Sequence, residues 1–121
     1  MRRKPGELIP IEVAVLEAAI ALQRQGVGAF HGYALAKEIK TASDSRLLTA
    51  HGTLYRALHR LHRAGLIEAY WEDPSEAERE RRPRRRMYRL TTLAIPALNR
   101  ARARRRLGAG LTSLEEGIET S

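Results

Sequence analysis

The clearest amphipathic pattern in the chain lies over residues 50–64. Its apolar residues follow one another at i, i+4 and i+7, so they fall on one face of a helix, and they are Leu54, Leu58 and Leu61. The opposite face carries polar and basic side chains and no acid: Thr53, Arg56, His59, Arg60 and Arg63. We therefore predict an α-helix that Gly65 ends, with one face in a core and a cationic face outside.

Three further helices and a β-hairpin are predicted in the same way. The helices lie over about 8–25, 33–40 and 93–107, and the strands over about 66–72 and 86–90. Residues 73–85 contain no apolar side chain larger than Ala77, so we predict a solvated loop between the strands. The tail from Gly108 is small, polar and acidic, and it is predicted to be disordered.

The first helix differs from the others because it is apolar on two sides. One side contains Ile11, Val15, Ala19 and Leu22, and the other contains Ile9, Val13, Leu16 and Ile20. A helix of this kind needs two packing partners. Either one face packs inside the domain and the other meets a second subunit, or both faces are buried within the chain's own domain.

Composition narrows the class of protein. The chain has 121 residues, of which 43% are hydrophobic, as expected for one globular domain. Its formal net charge of +8 favours a polyanionic partner, nucleic acid before an acidic membrane surface. The absence of cysteine excludes disulfides, thiolate catalysis and zinc-finger sites, and fits a cytoplasmic protein. Glutamates at positions 7, 12 and 17 interrupt the apolar start, so neither a secretion signal nor a membrane span is predicted.

The order of elements predicts the fold class: mostly α with a small β-hairpin wing, in the arrangement of a winged helix-turn-helix. In that fold the second helix of the helix-turn-helix enters the DNA major groove. Arginine suits this position because its planar fork can bind both guanine edges and phosphate oxygens. An arginine stripe on a surface helix is otherwise a solvated face, and the order of elements favours the DNA interpretation. Arg56 and Arg60 are the predicted base contacts.

The predicted wing is rich in positive charge. Six arginines fall within eight residues, interrupted only by Glu80 and Pro83: Arg79, Arg81, Arg82, Arg84, Arg85 and Arg86. Such a loop can follow a phosphate backbone or enter a minor groove, and a solvated charge run is the alternative. Trp71, the only tryptophan, is expected to pack against the recognition helix; an exposed stacking site is the alternative.

Three motifs in this order resemble the PadR family of bacterial transcription regulators. They are HGYALAKEI at 31–39, HGTLYRALHRLHRAGLIEAYWE at 51–72 and RRRMYRLT at 84–91. The resemblance covers about residues 8–106 and is closest to the smaller branch of the family, with a single C-terminal helix. It implies a winged helix-turn-helix, a homodimer built from the first and last helices, and repression relieved by a small ligand or a stress signal.

The resemblance and the helix pattern together define domains and site residues. Residues 1–92 form the DNA-binding domain with its N-terminal helix, 93–107 the C-terminal dimerisation helix, and 108–121 the disordered acidic tail. The residues expected to contact DNA are His31, Tyr33, Lys37, His51, Gly52, Thr53, Tyr55, Arg56, His59, Arg60, Arg63, Arg81, Arg82, Arg84, Arg85 and Arg86. Those expected at the dimer interface are Ile9, Val13, Leu16, Ile20, Leu93 and Leu98.

The expected partner is a near-palindromic duplex operator, read by two recognition helices roughly 34 Å apart. A small-molecule effector of unknown identity is the second expected partner; no cofactor and no membrane partner are predicted. Two alternatives use the same fold: a module that docks an acidic protein on its basic face, and an RNA-binding winged helix. His59 and His62 with His51 could supply metal ligands, but no cysteine or nearby carboxylate completes a set. No GxSxG, P-loop or GxGxxG motif occurs, so no enzymatic activity is predicted.

Overall fold

The fold is taken from a computed structural model that describes residues 7–42 and 52–120, with side chains for 7–41 and 52–107. The elements in chain order are α1 (Pro10–Arg24), β1 (Phe30–His31), α2 (Gly32–Ala42), α3 (Thr53–Arg63), β2 (Ile67–Trp71), α4 (Pro74–Arg79), β3 (Arg86–Leu90) and α5 (Ala94–Thr120). This is the mostly helical winged fold that the sequence predicts, with two small elements, β1 and α4, in addition.

Helix α1 is the centre of the packing. Pro10 opens it, and the Glu12 side chain accepts a hydrogen bond from the Ile9 backbone N–H at 3.1 Å, which secures its first turn. Residues on both of its apolar sides are buried, including Val15, Leu16 and Ala19. The helix contacts α2, α3, α5 and β3. Other elements of the same chain therefore cover most of both apolar sides of this helix.

Helices α2 and α3 form the helix-turn-helix. The predicted apolar stripe of α3 is confirmed, because Leu54, Leu58 and Leu61 are all buried, together with Ala57. On α2, Leu35 and Ile39 are buried in the same core. The predicted start of α3 near residue 50 and the connection over 43–51 lie outside the described residues.

The predicted hairpin is confirmed, and it belongs to a sheet of three antiparallel strands in the order β1-β3-β2. Strand β3 has the predicted bounds, and it pairs with β2 from Ile67↔Leu90 to Trp71↔Arg86. The short β1 was not predicted, because two residues give no alternation. It forms where Phe30, which is buried, lies beside Tyr88 on the free edge of β3.

The segment over 73–85, predicted to be a loop throughout, contains the helix α4. Asp73 caps it by accepting hydrogen bonds from the Ser75 backbone N–H at 2.9 Å and the Ser75 hydroxyl at 2.8 Å. Pro74 occupies the first position of α4, and Ala77 is the residue of this helix that is buried. A helix cap followed by proline is a start signal that the charge of the segment concealed.

Helix α5 is longer than predicted, since its backbone continues to Thr120 rather than ending near residue 107. The tail over 108–121 that the composition suggested would be disordered is therefore helical as far as Thr120. No proline follows Pro96 in the chain, so no residue removes a backbone donor beyond the first turn. The glycines of this segment weaken a helix by roughly 1 kcal/mol each but do not forbid it.

Three helices end in the same hydrogen-bonded turn, in which the residue after the C-cap takes a left-handed conformation. At α1 and α3 that residue is glycine, Gly26 with φ 90° and Gly65 with φ 78°. At α4 it is Arg81, with φ 54°. The same pair of bonds forms there, from Arg81 N to Glu78 O and from Arg82 N to Ala77 O. A side chain in this conformation costs about 1–2 kcal/mol, so the wing carries backbone strain at Arg81.

Replacing Arg81 by glycine should therefore stabilise the protein. We expect Arg81→Gly to raise the free energy of unfolding by about 1 kcal/mol, seen as a higher midpoint in thermal unfolding followed by circular dichroism. Arg81→Gln is the matched control, because it removes the charge but keeps the β-carbon. Equal gains in both variants would mean that charge repulsion, and not backbone strain, is relieved.

Candidate nucleic-acid interface

The outer face of α3 is the first part of the site. Because its leucine stripe is buried, Arg56, His59 and Arg63 face the solvent. Thr53 is half-buried at the start of the helix. Tyr55 is 51% exposed beside them. His51, also predicted to contact DNA, lies outside the described residues. The exposed residues on this face offer hydrogen-bond donors and no carboxylate.

Arg60 is placed differently from the prediction that it reads bases. Its Nε donates to Glu12 Oε2 at 2.6 Å, and Glu12 is buried on α1, with 2% of its surface exposed. About a third of the Arg60 side chain is exposed. A buried carboxylate needs a charged partner, so this guanidinium is committed to joining α3 to α1. Arg60 therefore leaves the set of base-contacting candidates.

The start of α2 packs against the start of α3. A β-carbon added at Gly32 would lie 3.0 Å from the Tyr55 hydroxyl oxygen and 3.1 Å from a ring carbon. A side chain at position 32 would thus displace the Tyr55 ring by a few tenths of an ångström, so Gly32 favours the close approach of that ring. The two motifs that contain these residues, HGY and GTLY, are brought together by this contact. Tyr33 and Lys37 extend from α2 into solvent near it.

His31 caps α2. Its Nδ1 accepts a hydrogen bond from the Ala34 backbone N–H at 3.3 Å, which only the form with an unprotonated Nδ1 can do. Burial lowers the pKa of His31 below its ordinary value of 6.5, and the nearby cations Arg85 and Arg82 lower it further against the opposing effect of Glu72. Its ring also stacks near Tyr33, with centroids 6.2 Å apart. His31 is therefore a structural cap that lies beside the base of the wing.

The wing contains an ion-pair cluster, here called the wing clamp, formed by Glu72, Glu80 and Arg82. Both terminal nitrogens of Arg82 bond the Glu72 carboxylate, one of them at 3.0 Å, and its Nε bonds Glu80 Oε2 at 2.5 Å. The pKa of Glu72 is held down to about 2, mainly by its hydrogen bonds to Arg82. Arg82, predicted to contact phosphate, is thus occupied inside the wing.

The other wing arginines point outward. Arg81, Arg84 and Arg85 are exposed, and Arg86 is partly exposed. Arg84 and Arg86 each lie over the Trp71 ring, with the guanidinium carbon 5.7 Å and 5.3 Å from its centroid. Trp71 is 54% exposed, so it is a platform for two arginines rather than the core residue that the sequence suggested.

Three residues of the site escaped sequence reasoning: Glu12, Glu72 and Trp71 in its actual role. Glu12 lies 48 positions from Arg60, and no periodic pattern connects them. Glu72 gave a weak signal, since it is an acid between a strand and a run of arginines. Glu12 and Glu72 each hold an arginine in an ion pair, and these pairings can be identified only from the three-dimensional structure.

The predicted dimer-interface residues divide into two groups. Val13, Leu16 and Leu98 are buried within the single chain because α1 is enclosed by α2, α3 and α5, so they are core residues. Ile9 and Ile20 are partly buried, and Leu93 is 57% exposed. A groove of about 450 Å³ runs between α1 and α5, with Ile20 and Ile95 on its walls.

The described residues contain neither a candidate metal site nor a candidate membrane span. No cluster of three histidine, aspartate or glutamate side chains there could hold a metal ion. Within the same residues, no helix combines the length and the apolar character needed to cross a bilayer.

Comparison with known proteins identifies the family. The family model described as "Transcriptional regulator PadR-like family" matches residues 22–93, more than half of the chain. The chain belongs to the PadR-like family of transcriptional regulators. The match contains the helix-turn-helix and the wing, so the predicted family is confirmed.

Solved structures support the fold. A transcriptional regulator from Clostridium thermocellum is similar with a TM-score of 0.64 and 24% identity, over 84% of this chain and 88% of that one. A PadR family regulator from Clostridium difficile R20291 has a TM-score of 0.63 and 21% identity, over 86% and 95%. One from Eggerthella lenta has a TM-score of 0.58 and 24% identity, over 84% and 80%. No curated protein matches the sequence significantly.

The His31 cap makes stability depend on pH. Because the folded protein lowers the pKa of His31, the unfolded chain binds more protons below pH 6.5, and stability should fall as the pH falls through that value. His31→Asn keeps a capping side chain but does not titrate, so this part of the pH dependence should disappear. Urea unfolding between pH 7.5 and 5.5 measures it, with His62→Asn on exposed α3 surface as the control. Parallel pH profiles for the wild type and His31→Asn would contradict the assignment.

Proposed function

We propose that this PadR-like regulator is a sequence-specific repressor that binds duplex DNA as a homodimer, with α3 in the major groove. The observation that carries the proposal is the outer face of α3. Its leucine stripe is buried, so Arg56, His59 and Arg63 must face outward together. Arginine can bind a guanine edge through two hydrogen bonds, and histidine can donate one. These three residues are the proposed base contacts.

The surrounding residues are suited to phosphates. Thr53 and the Gly52 backbone lie at the start of α3, where helix N–H groups favour anions. Lys37 and Tyr33 lie on the exposed side of α2, and the outward wing arginines lie on the other flank. Contacts of this kind fix register and orientation but carry no sequence information. The proposed wing contacts are Arg81, Arg84, Arg85 and Arg86.

The dimer is proposed from the apolar surface that α1 and α5 leave open. Leu93, just before α5, and Ile95 and Leu107 on α5 are each more than half exposed. Ile95 lines the groove between α1 and α5, together with apolar residues of both helices and the charged Glu17 and Arg102. A second copy packed on these helices would cover that surface, since exposed apolar patches mark interaction sites. Two-fold pairing would set two α3 helices roughly 34 Å apart on an inverted repeat.

Regulation is proposed at the same interface. A small apolar molecule in the groove between α1 and α5 would change how the two subunits pack, and with it the spacing of the two α3 helices. Binding over a promoter would block transcription, and such a ligand would relieve the block. Release of bound DNA by candidate ligands tests this part separately from DNA binding itself.

The test of the proposed function is selection of random duplex DNA by the purified protein at about 150 mM salt, the ionic strength of a cell. Enrichment of an inverted repeat is the expected result. Binding without enrichment would refute sequence-specific recognition and favour a basic module that docks an acidic protein. Preference for structured RNA over duplex DNA at equal salt would favour the RNA-binding alternative.

Individual arginines should have different effects on the selected site. Arg56→Ala is expected to lose about 1–3 kcal/mol of discrimination against a changed base pair, because it removes a bidentate contact. Arg89→Ala, on exposed β3 surface outside the proposed DNA contacts and the proposed dimer interface, is the matched control for loss of one positive charge. Fluorescence anisotropy with the selected duplex and single-base variants measures both. An equal, uniform loss in the two variants would show that Arg56 contributes charge alone.

The salt dependence of affinity counts the phosphate contacts. If about eight phosphates are neutralised per dimer, log affinity should fall with log salt concentration with a slope of roughly −7. Arg84→Ala should weaken binding to all sequences alike and make the slope shallower by about 1 for each wing in contact. A wild-type slope near −1 would refute the phosphate contacts.

A further inference from the structure

The arginines of the wing repel one another, and Glu72 restrains two of them. Six like charges over 79–86 repel one another, and long arginine side chains lose entropy when they are ordered on binding. A basic loop with no internal restraint would contact DNA in many arrangements. The structure instead shows restraints within the wing, and the three that join its two strands and its arginine run involve the Glu72 carboxylate.

Glu72 forms hydrogen bonds with two parts of the wing, the backbone of Arg85 and the guanidinium of Arg82. It follows β2, and its backbone N–H bonds the Arg85 carbonyl at 3.0 Å, which extends the hairpin by one pair. Its Oε1 accepts a hydrogen bond from the Arg85 backbone N–H at 2.8 Å. The same carboxylate binds both terminal nitrogens of Arg82. One side chain thus fixes the entry to β3 and the guanidinium at the centre of the arginine run.

Within the wing clamp, the pair of Arg82 with Glu72 is shielded from water, whereas Glu80 is exposed. The Arg82 side chain is 19% exposed and the Glu72 side chain 13%, unlike the other ion pairs of the wing, such as Arg79–Glu76. Arg82 also donates to the Pro83 carbonyl at 3.1 Å, and Glu80 binds its Nε. A bidentate pair with little solvent around it holds its geometry, whereas exposed pairs contribute little. The clamp therefore acts on the shape of the loop.

We propose that Glu72 is a positioning residue for DNA binding, which holds the wing so that Arg81, Arg84, Arg85 and Arg86 face the phosphates as a fixed array. The proposal rests on the proposed function, since it explains how the wing of a DNA-binding protein is organised. Trp71, the residue before Glu72, supports Arg84 and Arg86, whose guanidinium groups lie over its ring. Arg82 is the internal brace of the array and not one of its contacts.

This role predicts that removing Glu72 lowers the affinity for DNA, whereas simple electrostatics predicts that it raises the affinity. Removing an acid from a DNA-binding surface normally strengthens binding, because a repulsion with phosphate is lost. If Glu72 orders the array, its loss frees several arginines, which must then be ordered when DNA binds. Glu72→Gln should therefore weaken DNA binding, by about tenfold, and make its salt dependence shallower as phosphate contacts are lost.

The matched control lies in the same wing. Glu78 is exposed on α4 and makes no ion pair among the described residues, so Glu78→Gln removes the same charge without touching the clamp. We expect it to leave affinity unchanged or to raise it slightly. Arg82→Lys is a second test variant, because it keeps the charge but cannot bind Glu72 through a planar fork. It should weaken binding as Glu72→Gln does.

The experiment measures the affinity of the wild type and the three variants for the selected duplex, with circular dichroism to check the fold. Weaker binding by Glu72→Gln and Arg82→Lys, with Glu78→Gln at or above wild type, supports the proposal. Equal gains for Glu72→Gln and Glu78→Gln would overturn it. If Glu72→Gln does not fold, wild-type affinity in Arg82→Lys overturns the proposal and a loss supports it. A wild type that binds no duplex would instead refute the proposed function.

Discussion

The burial of one face of α3 against the core determines how the whole site is presented. Leu54, Leu58 and Leu61 have almost no exposed surface, and each contributes roughly 1.5–3 kcal/mol by leaving water. Together that is comparable with the total stability of a small domain. Successive residues of a helix are rotated by about 100°, so these three positions fix which side chains face outward. The cationic face of α3 is a consequence of its apolar face.

Acidic side chains decide which arginines remain available. Glu12 occupies Arg60 at the junction of α1 and α3, and Glu72 occupies Arg82 inside the wing. Both pairs are partly shielded from water. The first joins two helices that are distant in sequence, and the second joins the end of β2 to the turn of the wing. The exposed arginines that neither of these acids binds include Arg56 and Arg63 on α3 and Arg81, Arg84 and Arg85 on the wing. The chain's net charge of +8 is thus divided between arginines that organise the structure and arginines that can meet an anion.

The pair between Glu12 and Arg60 has a further consequence for regulation. Glu12 also holds the first turn of α1 through the Ile9 backbone, so one carboxylate connects the start of α1 to the middle of the recognition helix. In the proposed dimer, α1 lies at the subunit interface. A shift of α1 in that dimer would therefore act on α3 through this ion pair as well as through the apolar core that the two helices share.

The sequence predicted the elements that repeat a pattern and missed those that depend on distant partners. The stripe of α3, the hairpin over 66–90 and the family motifs are local, so they could be read from spacing alone. β1 forms only beside β3, and α4 is hidden within a charged segment. Arg60 and Arg82 look like their neighbours in the sequence. Only the positions of Glu12 and Glu72 in space separate them from the outward arginines.

In the proposed complex, the outer face of α3 enters the major groove and contacts guanine edges. Methylation interference on the selected duplex is the decisive measurement, because dimethyl sulfate modifies guanine N7 in the major groove and adenine N3 in the minor groove. Methylated guanines at symmetric positions in both half-sites should block binding, and Arg56→Ala should abolish part of this pattern. Interference at adenines alone, or at no guanine, would contradict this arrangement.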